Sequence, residues 1–205
     1  MRQDSPELRE VFEKKRSELH SENNTREELS RPFLAVGLGN PGASYENTYH
    51  NAGRILLESV AAIFSGSNAL TWKTYKRIFT YAQSGELIFV EPMTFMNESG
   101  RAVREAVRKF NVSPEDVIIF HDDSDLPLGT WKISRERGAA GHHGVESIIA
   151  ALGVNSFTRV RVGIRPKEEH GRKKAEEFVL KPITKTARAL LDSISEDIAR
   201  KLMER

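Results

Sequence analysis

A chain of 205 residues that is 39% hydrophobic builds one domain with an appendage more readily than two full domains. Its net charge of +2 excludes a whole-molecule field as a source of nucleic-acid attraction, so any RNA contact must come from local clusters of Lys and Arg. The lack of cysteine excludes disulfides, thiolate metal sites and thiol nucleophiles. No apolar run approaches the ~18 residues of a membrane span, and Met1–Arg31 has no apolar signal core; a soluble, cytoplasmic protein is expected.

Residues 1–31 differ from the rest. Ser5 and Pro6 suit a helix start, but beyond Glu10 the only sizeable apolar side chains before Leu29 are Val11, Phe12 and Leu19. So thin a stripe predicts a charged, solvated helical arm with a Ser21–Asn24 link, leaving 32–205 as the domain proper. Phe33–Leu38 reads as a buried strand that runs into the turn Gly39-Asn40-Pro41-Gly42. From Thr48, the spacing of Ile55, Leu56, Val60 and Ile63 predicts a helix. Ile78–Gln83 and Leu87–Val90 form an expected hairpin about Ser84-Gly85-Glu86. A helix through Val103, Val107 and Phe110 precedes strands Val117–Phe120 and Leu128–Ser134. Then come helix Val145–Leu152, strand Arg159–Ile164 and amphipathic helix Ala187–Met203. Interleaved strands and helices with one hairpin predict a single α/β domain, a mixed twisted sheet with helices on both faces.

Ligands of such sheets gather beyond the carboxyl ends of the strands. Four polar segments lie there on this reading: Gly39–His50, Glu91–Gly100, His121–Pro127 and Gly138–Gly144, all read as loops or helix openings. Gly37-x-Gly39-x-x-Gly42 matches the dinucleotide fingerprint as a string, but its helix starts late and no acidic residue closes a second strand about twenty positions on. The turn instead displays Asn40. His50, near a helix N-terminus, favours a neutral ring able to accept a proton. His121, Asp122, Asp123 and Asp125 could gather a divalent cation, or one of the carboxylates could orient a histidine from another loop.

Phe33–Gly42, Tyr45 and His50-Asn51-Ala52-Gly53 resemble the opening signature of the bacterial-type peptidyl-tRNA hydrolase family. Pro92–Gly100, His121–Gly129, Gly141-His142-His143-Gly144 and Arg159–Ile164 extend the resemblance in order, from Phe33 to about Met203. It implies an enzyme that cleaves the ester between a peptide and the 3′ ribose of tRNA, recycling tRNA for translation as a monomer. His50 is implied as the base and Asp122 as its orienting partner. Asn40 and Asn97 would hold the peptide and the reacting ester, with Tyr45, Phe95 and His143 lining the substrate site. Lys132 and Arg161 would clamp tRNA phosphate, and no metal or other cofactor is implied. A non-catalytic RNA-binding protein on the same fold is the alternative, which the joint presence of a base and its orienter disfavours. The chain departs from the family where it has His143 for the usual asparagine, Arg137, Ala139 and Ala140 in a loop normally richer in glycine, and Ser124 for leucine.

Overall fold

The first apolar run becomes the central strand of the sheet. In the computed structural model, which describes residues 32–165 and 178–203, β1 (Phe33–Gly37) lies between β4 (Leu87–Pro92) and β5 (Val117–Pro127), parallel to both. β7 (Thr158–Arg165) continues the parallel set beyond β5. Antiparallel strands finish each edge: β3 (Phe79–Ser84) and β2 (Lys73–Tyr75) beside β4, and β6 (Trp131–Ser134) beside β7. The seven-stranded order is β2-β3-β4-β1-β5-β7-β6.

Alternation along the strands sends side chains to two apolar layers. Ala35, Phe89, Ile118, Phe120, Val160 and Val162 face one layer, which α1 (Ala52–Ser65) and α4 (Lys185–Met203) cover. Helix α4 presents Ala187, Leu191, Ile194, Ile198 and Leu202, one stripe at helical spacing. On the other face Leu34, Val36, Val90, Val117 and Ile119 meet α2 (Ser99–Phe110) and α3 (His143–Leu152). Truncating a fully buried anchor such as Leu56 to Ala in so closed a layer would cost about 2–5 kcal/mol. The expected α/β sheet with helices on both faces is therefore the observed one.

Several boundaries differ. The helix expected from Thr48 begins as a 3-10 turn, Tyr49–Asn51, and becomes α-helical only at Ala52. β2 was not expected: its three residues are largely exposed and carry no apolar signal. His121–Pro127, read as a loop, extends β5, since Asp122 and Asp123 stay in register with Val162 and Gly163 of β7. β6 is shorter than expected and α3 starts two residues earlier. The arm, 1–31, lies outside the described residues.

Candidate active site

The site is built around the middle of β5, between two helix openings. Gly53, in the first turn of α1, makes this possible: a Cβ there would lie 2.3 Å from the Phe120 carbonyl oxygen. Glycine lets α1 press against β5, and its preceding turn then carries His50 to Asp122. The turn is strapped from outside by the segment before α4. His50 N–H donates to Val179 O (2.7 Å), Tyr49 N–H to Lys181 O (3.2 Å), and Ile183 N–H to Asn47 O (2.7 Å).

Asp122 is 4% exposed and one of its oxygens serves two rings. His50 Nδ1–H donates to Asp122 Oδ1 at 2.9 Å, and His142 Nε2–H donates to the same oxygen at 2.9 Å. His142 is also the N-cap of α3: its Nδ1 accepts from Gly144 N–H (3.1 Å) and Val145 N–H (3.3 Å). These bonds assign tautomers. His142 carries its proton on Nε2, and His50 carries its own on Nδ1, which leaves His50 Nε2 as a lone pair facing the cavity. His121 Nδ1–H donates to the Asp122 carbonyl at 2.8 Å, with its ring edge-on to His142 at 4.7 Å between centroids.

Electrostatics agree with this arrangement. Burial disfavours a charge on His50, but the Asp122 charge and hydrogen bond outweigh it and hold the pKa above 6.5. Burial also opposes a charge on Asp122, yet His142 and His50 together hold its carboxyl well below the usual range. Burial, with His142 beside it, keeps His121 neutral far below 6.5. The result is a base with a raised proton affinity oriented by an ionised acid.

The acidic segment does not converge as a cation site would require. Asp123 Oδ2 accepts from Arg161 Nε at 2.6 Å, and Asp125 accepts from Arg165 at 3.2 Å. Among the described residues, ligand atoms that lie within 4.8 Å of one another come instead from His50, Asp122 and His142. A neutral imidazole that binds a metal through Nε2 must carry its proton on Nδ1. His142 could do so only by giving up both backbone bonds of its helix cap. The donor set suits protons better than a cation.

Asn40 fastens two loops to each other. Its N–H donates to Asn51 Oδ1 (2.8 Å), Asn51 Nδ2–H donates to its carbonyl (3.0 Å), and its Oδ1 accepts from Met96 N–H (2.8 Å). Met96 in turn abuts α3, where a Cβ on Gly144 would lie 2.5 Å from the Met96 sulfur. The Asn97 loop is thereby fixed against the opening of α3. Tyr45 and Phe95 meet edge-on at 6.4 Å, with Phe95 53% exposed.

Of the residues singled out from sequence, His50, Asp122, His143 and Arg161 line one cavity of about 560 Å³. Asn40, Tyr45, Phe95, Asn97 and Lys132 lie outside that lining. Lys132 is exposed, but it pairs directly across from Arg161 between β6 and β7. His142, at the centre of the network, was missed as a site residue. Its side chain turns back over the helix end to reach Asp122, whereas the exposed His143 makes no hydrogen bond among the described residues. A histidine one residue ahead of α3, in the N-cap position, was the available signal.

A mixed sheet that presents a neutral imidazole on a buried carboxylate at the carboxyl end of its parallel strands has the construction of a general-base hydrolase. Comparison with known proteins gives the family. Residues 34–204 match the family described as peptidyl-tRNA hydrolase. Peptidyl-tRNA hydrolase from Mycobacterium sp. (strain KMS) is 38% identical over 177 residues, which cover 83% of this chain and 88% of that protein. The Desulfotalea psychrophila enzyme is 41% identical over 141 residues, 68% of this chain and 71% of its own. A crystal structure of peptidyl-tRNA hydrolase from Acinetobacter baumannii is similar at a TM-score of 0.72 and 30% identity, covering 83% of this chain and 86% of that one. The chain belongs to the peptidyl-tRNA hydrolase family.

Proposed function

We propose that this chain cleaves the ester of peptidyl-tRNA with water activated by His50. The observation that carries the mechanism is the 2.9 Å bond from His50 Nδ1 to Asp122, which turns the ring's other nitrogen toward the cavity as an acceptor. His50 Nε2 takes a proton from water as the water oxygen attacks the ester carbonyl. The tetrahedral intermediate collapses by breaking the bond to the 3′ ribose oxygen, and the proton on Nε2 passes to that leaving oxygen. Asp122, ionised and buried, stabilises the transient imidazolium, and His142 holds the shared oxygen in place. Asn97, exposed and without a hydrogen-bond partner among the described residues, is available to the oxyanion; Asn40 keeps its loop in position. Tyr45 and Phe95 offer an aromatic surface beside it, and His143 a polar one within the cavity.

Lys132 and Arg161, adjacent across two strands, would meet phosphates of the tRNA. His50, Asp122 and His142 come from one chain, so a monomer carries the whole network. A family that acts on tRNA in translation supports a cytoplasmic location, and among the described residues no helix is long and apolar enough to cross a membrane. We read 32–205 as one unit with 1–31 as its arm.

Release of the acyl group from an N-blocked aminoacyl-tRNA tests the activity directly. His50→Ala should lower turnover by about 10²–10⁴-fold while leaving the melting temperature nearly unchanged. A folded His50→Ala protein with wild-type turnover would remove His50 from the mechanism.

A further inference from the structure

Arg159 lies on β7, opposite Ile119 of β5 and Ser134 of β6, and is 4% exposed. It lines the same cavity as His50 and Asp122. Its guanidinium makes no hydrogen bond or ion pair among the described residues. Asp123, the acid that bears on it, is already engaged: one oxygen accepts from Arg161 and the other from the Asp125 N–H at 2.8 Å. Arg137 and Arg161 line the cavity too, so cations crowd this wall. Burial and the neighbouring Arg161 and Arg137 all disfavour its charge, with Asp123 alone opposing them. Buried cations are ordinarily paired, because an unpaired one forfeits hydration without recompense. A guanidinium with no protein partner, set in a wall of cations and open to the cavity, is placed to meet an anion.

We propose that Arg159 binds the phosphodiester on the 5′ side of the substrate's terminal nucleotide and so sets the reacting ester over His50. This rests on the peptidyl-tRNA reading above. The forked donors of Arg suit phosphate or carboxylate. A carboxylate occurs only in those peptides that have an acidic side chain, whereas every tRNA end carries this phosphodiester. One ribose separates it from the ester, so base and anion site must share a cavity, as His50 and Arg159 do. Arg161 and Lys132, nearer to solvent, are left for phosphates farther along the tRNA.

The test compares two substrates, N-acetylaminoacyl-tRNA and the same acyl group on the terminal nucleoside alone, which lacks the phosphodiester. Arg159→Gln should lose about 10–100-fold in kcat/KM on the tRNA ester, mainly through KM, as expected for one charge-assisted contact. Arg159→Lys should lose less, and the nucleoside ester should be cleaved at the wild-type rate by both variants. Equal losses on both substrates, no loss on either, or a loss confined to peptides with an acidic side chain would overturn the assignment. Calorimetry on the unaltered protein avoids any folding defect of the variants. A dinucleoside monophosphate should bind at least about tenfold more tightly than its uncharged methylphosphonate analogue; equal affinities would reject the anion site. A wild-type protein that cleaves neither ester would instead defeat the hydrolase reading itself.

Discussion

Two buried carboxylates on this sheet end at opposite extremes of acidity. Asp122 midway along β5 and Glu91 near the end of β4 are 4% and 6% exposed, and burial is the largest influence on each. Glu91 is pushed up to about 7, with Glu58 adding to burial and Arg54 and Thr80 opposing it. Asp122 is driven well below the ordinary range. The presence of a full cation is not what separates them, since Arg54 reaches Glu91 at 2.8 Å. Arg54, however, also serves Glu58 at 3.3 Å, while Asp122 has two imidazoles to itself. Dedicated donors keep a buried acid ionised; a shared cation does not. In the first case the acid can orient a base, and in the second it holds a proton near neutrality.

Removing the acid's charge should have the largest effect. Asp122→Asn keeps an acceptor for both rings but cannot stabilise the imidazolium, so turnover should fall by about 10²-fold or more. Because Asp122 is what raises His50, the acid limb of the pH–rate profile should also move to lower pH. A reduced plateau with an unmoved limb would break the link between the two residues. The native carboxylate stabilises the fold fully above about 3.8, its unperturbed value, and loses that contribution as pH falls through the depressed folded one. Asp122→Asn should therefore flatten the acid side of a urea-melt series.

Removing one dedicated donor moves Asp122 toward the situation of Glu91. His142→Asn retains a side chain that caps helices well, yet it is too short to reach Asp122. Turnover should drop by about tenfold with a melting temperature within a few degrees of wild type, since one hydrogen bond to a charged group is lost. His143→Asn, one residue along, should leave the acid limb in place. An equal shift from both variants would mean that the loop, and not the bond to Asp122, governs His50.

The second carboxylate should affect stability alone. Glu91 binds its proton more tightly folded than unfolded, so stability should decline as pH rises from about 4.5 to about 7 and level off above. The decline is on the order of 3 kcal/mol at roughly 1.4 kcal/mol per pKa unit. Urea midpoints at pH 5 and 8 should differ accordingly in wild type and much less in Glu91→Gln. Parallel curves for the two proteins would assign the pH dependence elsewhere.

The sequence made the two-layer core legible because apolar runs and helical spacing are direct records of burial: Phe33–Leu38, Val117–Phe120 and Ala187–Met203 all stand close to where they were expected. The continuation of β5 through Asp122 and Asp123 was not legible, since charged residues lack the apolar signature of a buried strand and only pairing with β7 keeps them extended. β2 escaped for the same reason. His50, Asp122 and Arg161 were found by resemblance and do share a cavity. The place of His142 ahead of a helix hints at a cap, but which of two adjacent histidines folds back to Asp122 is a matter of local geometry. On sequence alone Arg159 shares a strand face with Arg161 and could join it and Lys132 at phosphate, but that it lacks a partner is a property of three dimensions.

The strap across the His50 turn also bears on how the enzyme is made. Val179 and Lys181 hold the backbone of a turn that precedes them by some 130 positions, a closure that no chain ending before residue 179 can make. A nascent chain emerging through β7 would own both His50 and Asp122, yet the turn would have only its own end of the tether. The setting of His50 is thus coupled to synthesis of the segment before α4, and a product ending before Val179 should lack both this tether and the α4 cover of the adjoining apolar layer.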